Sequence, residues 1–131
     1  KNVINNKKIL IDNNLKFNNY LITPYSSFSK NIKSKIPTKN ILDFGLQVKN
    51  KRFKFESNYA VLPNSLAISY ALGVCTSGES KGIFLAGLDG YTENSPRKFE
   101  MDELFQRYKL EKASKKICTL TPSTYKVKLI N

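Results

Sequence analysis

The chain has 131 residues, of which 40% are hydrophobic, enough for one domain, or part of one, with a modest core and too many for a disordered tail. No apolar run reaches the roughly 20 residues that span a bilayer. Twenty-two Lys and Arg against 10 Asp and Glu give a net charge of +12, and histidine is absent, which excludes a Ser-His-Asp or Cys-His nucleophile and a histidine general base within this chain.

The charge is uneven. Residues 1–59 carry 12 cations against Asp12, Asp43 and Glu56, whereas residues 60–131 carry 10 against seven carboxylates. A basic half of this kind suits an anionic partner. Nineteen of the 22 cations are lysine and asparagine is abundant, a pattern that A/T-rich codon usage produces by itself. Arginine, which reads phosphate bidentately, occurs only as Arg52, Arg97 and Arg107. Nucleic acid is therefore not an expected partner beyond salt-dependent, nonspecific adsorption. Cys75 and Cys118 lie in apolar surroundings and read as buried free thiols of a reducing, cytoplasmic compartment. With carboxylates they make a poor zinc set, so neither metal nor cofactor is expected within the chain.

In chain order, residues 1–19 are polar and asparagine-rich, a tail or linker, or else a strand at Ile9-Leu10-Ile11 with a turn after it. Residues 20–131 are expected to form a single Rossmann-like α/β domain. Tyr20-Leu21-Ile22 reads as a strand stopped by Thr23-Pro24, and Ser26–Ile36 as a short helix ended by Pro37. Alternating Ile41, Leu42, Phe44, Leu46 and Val48, then Phe53 and Phe55 after Asn50-Lys51, predict a β-hairpin near 41–56. Tyr59-Ala60-Val61-Leu62 is a short apolar strand. Leu66–Cys75 is a helix apolar on nearly every side, with Asn64 or Ser65 as its cap. Lys81–Leu88 is a strand whose run Ile83-Phe84-Leu85-Ala86 implies cover on both faces. Ser95-Pro96 opens another helix with Phe99, Leu104, Phe105 and Tyr108 on its inner side and Glu100, Glu103 and Lys109 facing water. Lys116–Leu120 is the last central strand. The order β-α-β-α-β predicts a three-layer, Rossmann-like half.

In such sheets ligands bind beyond the carboxyl ends of the strands. The candidate ligand-binding residues there are Ser26, Asn64, Ser65, Gly87, Asp89, Tyr91, Arg97, Thr121, Ser123 and Tyr125. Asn64 and Ser65 open a helix, where free N–H groups favour an anionic or polar ligand. Asp89, after a buried strand, would hold a sugar hydroxyl, a ribose or a metal, and Arg97 a phosphate or carboxylate. Each also has a plain structural use, as cap, turn or strand stop. No Rossmann or P-loop glycine motif is present.

Three stretches carry a resemblance: Val61-Leu62-Pro63-Asn64-Ser65-Leu66-Ala67-Ile68-Ser69-Tyr70-Ala71-Leu72, Ile83-Phe84-Leu85-Ala86-Gly87-Leu88-Asp89-Gly90-Tyr91 with Pro96-Arg97 and Glu100-Met101, and Leu120-Thr121-Pro122-Ser123-Thr124-Tyr125. Together they resemble the C-terminal domain of bacterial HMG-CoA-lyase-like (DRE-TIM) aldolase-related proteins of surface-polysaccharide biosynthesis, over residues 59–126. The resemblance implies a TIM barrel upstream that carries the metal and the aldolase chemistry, with this domain as accessory. More distantly, the strand ends are similar to the nucleotide-binding half of bacterial sialyltransferases. That likeness implies a CMP-sugar pocket lined by Asn64, Ser65, Gly87, Asp89, Tyr91 and Ser123. The histidine base of that group has no counterpart here, which leaves Asp89 as the one catalytic candidate.

Three readings follow. The first is an accessory, non-catalytic domain binding a sugar, a nucleotide or a partner within a larger aldolase-like protein. The second is a nucleotide-sugar-binding transferase domain. The third is a basic module for nucleic acid or an acidic surface. A chain starting at Lys1 without methionine reads as excised from something longer.

Overall fold

The computed structural model describes residues 20–36 and 39–130; the expectations for residues 1–19 and for Pro37 lie outside them. The fold is α/β, with no closed barrel among the described residues. Its contacts group into two compact units, Lys1–Gly45 and Leu46–Asn131.

In the first unit, β1 (Leu21–Thr23) pairs in parallel with β2 (Ile41–Asp43), Leu21 opposite Ile41 and Thr23 opposite Asp43. Pro24 ends β1 because it lacks the N–H a strand would use. The helix expected over Ser26–Ile36 forms as two shorter pieces, a 3-10 turn at Tyr25–Ser27 and α1 at Lys30–Lys33. Ser26 is diverted from capping: its N–H and its hydroxyl both donate to the Asp43 carboxylate, 17 residues further along the chain.

The strands β3 (Gly45–Val48, all but its first residue in the second unit), β4 (Lys54–Phe55) and β5 (Tyr59–Leu62) form one sheet in the order β3-β5-β4. The hairpin expected near 41–56 is thus replaced. β5 lies between its two arms, and the tight antiparallel pair is β4 with β5, closed by Glu56 N–H to Tyr59 O at 3.0 Å. Burial gives the reason. Ala60, Val61 and Leu62 are 0%, 6% and 1% exposed, whereas Leu46, Gln47, Val48 and Lys54 face solvent. The most apolar strand takes the centre and the half-polar ones take the edges.

Helix α2 (Ala67–Ser77) lies on β5. Gly73 permits the approach, since a Cβ there would stand 2.9 Å from Ala60 Cβ and 3.1 Å from Leu62 Cδ2. The chain then makes β6 (Ile83–Leu85), α3 (Pro96–Leu110), β7 (Ile117–Thr119) and β8 (Lys128–Leu129). β6, β7 and β8 form a second, all-parallel sheet in that order, with Ile83 opposite Ile117 and Cys118 opposite Lys128. The predicted β-α-β-α-β order is present along the chain, but its strands divide between two hydrogen-bonded sheets. Both edges of β5 are occupied, by β3 and β4, so β6 finds its partner in β7.

Two surface assignments are corrected. Phe84 is 61% exposed, so β6 is not covered on both faces. Phe99 is 64% exposed, and Met101 takes its expected inward place beside Leu104, Phe105 and Tyr108. Positions 101, 104, 105 and 108 follow the i, i+3, i+4, i+7 stripe of a helix, and 99 falls off it. Lys98 lies on the stripe one turn earlier and is buried, 5% exposed. Tyr108 closes the core: Phe53 and Phe55 meet its ring edge-on, and its hydroxyl bonds Thr76 Oγ1 at 2.6 Å and accepts the Lys115 N–H at 2.9 Å. Cys75 and Cys118 are free thiols; Cys118 is buried and Cys75 half-buried, with its pKa raised by desolvation.

Candidate ligand-binding site

Parallel neighbours end at the same edge of a sheet, so the loops after β6 and β7 lie side by side. Leu120 N–H, one residue past β7, bonds the O of Leu85, the last residue of β6, at 2.8 Å. Gly87 N–H then donates to Thr121 Oγ1 at 3.0 Å, Thr124 N–H to Asp89 O at 2.8 Å, and Thr124 Oγ1 to Tyr91 O at 3.0 Å. Two glycines make the crossing possible. Gly87 has φ +67° and Gly90 φ +102°, values that side chains resist. A Cβ on Gly90 would also overlap Thr124 Oγ1.

The loops present their chemistry unevenly. Ser123 Oγ accepts the Tyr125 N–H at 3.3 Å, and Tyr125 points inward, 5% exposed, its ring 5.7 Å from Phe105. Burial pushes the Tyr125 phenol above its usual pKa. Asp89 and Tyr91 face outward. Arg97 lies over the Tyr91 ring, 5.8 Å from its centroid, and donates to the Tyr91 hydroxyl at 3.4 Å. That hydroxyl holds the guanidinium more firmly protonated. An exposed carboxylate, an aromatic face and a guanidinium therefore stand on one short stretch of chain. Such a set can accept from hydroxyls, stack on a flat ring and pair with an anion.

Lys98, Glu93 and Asp102 lie at the same end of α3. Lys98 Nζ pairs with Asp102 Oδ2 at 2.7 Å and with Glu93 Oε2 at 3.4 Å. The Asp102 bond is the main reason the ammonium is held above its usual pKa. Asp102 Oδ1 is buried without a hydrogen-bond partner. The sequence reading passed over these residues and over Thr124. The i,i+4 spacing of Lys98 and Asp102 was a readable signal; the reach of Thr124 to Tyr91 was not.

The remaining candidates take no part in the hydrogen bonds that join the β6/β7 loops. Asn64 covers the start of α2 from two residues before the cap residue Leu66, its Oδ1 accepting the Leu66 N–H at 3.3 Å and the Ser69 hydroxyl. Leu66, and neither Asn64 nor Ser65, occupies the cap position. Asn64 also lines a cleft of about 190 Å³ with Asn50, Lys51, Pro63, Glu100, Glu103, Leu104 and Arg107. There Arg107 binds Glu103 through Nε, at 3.1 Å, and through NH2, which lowers the Glu103 pKa. Ser65 is exposed. Ser26 belongs to the first unit, where its hydrogen bonds hold the Asp43 carboxyl below its usual range.

Among the described residues no group of three or more His, Cys, Asp or Glu side chains is arranged to hold a metal ion. No described helix is long and apolar enough to cross a membrane. Comparison with protein families, with curated proteins and with solved structures gives no match to the chain.

Proposed function

We propose that this chain is an accessory, non-catalytic ligand-binding domain of a larger aldolase-like protein in bacterial sugar or surface-polysaccharide biosynthesis. Its ligand, a sugar or nucleotide, would sit on the shared carboxyl edge of β6 and β7. The observation that carries the reading is the cross-bonding of loops 87–91 and 121–125, which leaves Asp89, Tyr91 and Arg97 together on the outer side. The bonds that hold the loops use the main-chain carbonyls of Asp89 and Tyr91 and not the Asp89 carboxylate, while Arg97 and Tyr91 engage each other at the exposed surface, where a ligand would meet them. The likeness of residues 59–126 to an aldolase-associated domain supplies the biosynthetic setting, and the expected partner is an upstream TIM barrel of the same protein. Chemistry is assigned to that barrel because this chain has no histidine and its carboxylate at Asp89 faces open solvent.

A thermal-shift panel of monosaccharides, CMP and CMP-sugars tests the reading. A ligand of this site should raise the melting temperature, by roughly 1.4 kcal/mol of stability for each tenfold excess over Kd. The shift should vanish in Asp89→Ala and in Arg97→Ala while the unliganded melting point stays put. A shift that survives both substitutions would move the site elsewhere. Preference for CMP over free sugars would favour the transferase-like reading, and an immunoblot of source cells showing a product no heavier than this chain would remove the barrel.

A further inference from the structure

The second half of the chain carries only three cations more than carboxylates, and the fold separates these charges. The parallel sheet has one edge where all three strands begin. Lys81 precedes β6, Lys115 and Lys116 precede β7, Lys126 precedes β8 and Lys128 is its first residue. Lys109 reaches the same place from the last turn of α3, donating to Lys126 O at 2.6 Å. Five of these six are exposed and Lys115 is half-buried. Glu79 and Glu111 are the carboxylates in the adjoining segments. At the opposite edge stand Asp89, Glu93, Glu100 and Asp102 with Arg97 and Lys98.

Codon drift sets how many lysines a protein has, but not that they gather where three strands begin. None of the six forms an ion pair with a carboxylate among the described residues, where the paired cations are Lys54, Lys98 and Arg107. Lys109 has a use of its own, at the negative end of α3; the other five have no such role. Strands about 4.8 Å apart place these ammonium groups within a Debye length of one another, where they repel. An anionic partner laid across the edge relieves that repulsion.

We propose that the amino edge of the β6-β7-β8 sheet is a docking surface for an acidic face of a protein partner. The edge is built from lysines, with no arginine to read phosphate bidentately. Phe84, exposed and leaning toward Gly82 near this edge, is a single aromatic face and not the series on which successive bases stack, and no described helix projects from the edge into a groove. Carboxylates, which pair with compact point charges one at a time, suit it better than a nucleic acid.

Fluorescence anisotropy with a labelled oligoglutamate peptide and with a labelled DNA duplex tests this on the full chain at about 0.1 M salt, where the Debye length is roughly 10 Å. The peptide should bind, and Lys81→Glu with Lys116→Glu should weaken it by about tenfold. Lys30→Glu with Lys35→Glu changes net charge equally, at exposed positions of the first unit, and should leave binding within about twofold. Equal loss in both pairs would mean adsorption to net charge and overturn the proposal. So would tighter binding of the duplex than of the peptide, or no peptide binding at all. Lys81→Gln with Lys116→Gln, which avoids new carboxylates near Glu79, should give a smaller loss in the same direction; an unchanged affinity there also overturns it.

Discussion

The two units divide one composition into two kinds of structure. Among the described residues of the first, Phe44 is the one buried side chain, while Ile22 and Leu42 of its two-stranded sheet are 38% and 48% exposed. The second buries Ala60, Leu62, Leu72, Leu104, Phe105 and Tyr108 almost completely. Parallel pairs of three-residue strands are weak unless helices cover them. α2 and α3 bring long buried stripes to the second unit, whereas α1 has four residues and no buried one. Helix length and stripe, more than hydrophobic content, separate a core from a patch.

Core truncation should break the comparison most visibly. Leu104→Ala should cost about 2–5 kcal/mol in urea denaturation, and Leu42→Ala within about 0.5 kcal/mol. Equal costs would mean that both units share one cooperative core. Tyr108→Phe keeps the ring but strips the partner from Thr76 and from the Lys115 N–H, and should cost about 1–3 kcal/mol by the same measurement. Gly90→Ala should cost about 1–2 kcal/mol for its left-handed backbone, with more from the overlap with Thr124. Adding Thr124→Ala to Gly90→Ala should therefore recover part of the loss, which thermal melts of single and double variants would register.

Hydrogen exchange sharpens the contrast without substitution: amides of β5 and β7 should exchange far more slowly than those of β1 and β2. The smallest effect expected is electrostatic. Ser26 lowers the Asp43 pKa, so this bond adds stability above the ordinary carboxylate pKa and loses it as pH falls through the depressed value. Ser26→Ala should move the Asp43 titration, followed by carboxyl NMR shifts, back up toward its usual position, with little change in the melting of the second unit.

Legibility in the sequence followed the same division. Tyr59–Leu62 forms a strand over the residues expected, because four consecutive apolar residues bounded by turns leave few alternatives. α3 starts at Pro96 with Ser95 as its cap residue, since proline at the first turn is a strong marker. α2 begins one residue later and ends two residues beyond the span expected. The inward face of α3 was harder to read. Counting Phe99 as apolar misled because position on the stripe outweighs the hydrophobicity of one residue, and Lys98 is buried at its place by pairing with Asp102 and Glu93. Among the candidate site residues, the meeting of the Asp89 and Ser123 loops followed from parallel β6 and β7. That Ser26 would bond Asp43 was hidden, since the parallel pairing of β1 with β2, outside the β-α-β-α-β run, decides it.

By itself the sequence determined the α/β class, the local elements of the second half, the absence of histidine chemistry and the stock of polar residues at strand ends. Those properties are set by neighbours within a few positions, through apolar periodicity, proline and caps. Only the tertiary structure decided that β5 sits between β3 and β4, that β6 pairs with β7, that Lys98 is buried and that six lysines share one edge. These depend on which strand edges are already taken and which faces are already covered, a competition among segments far apart in the chain that no local pattern records.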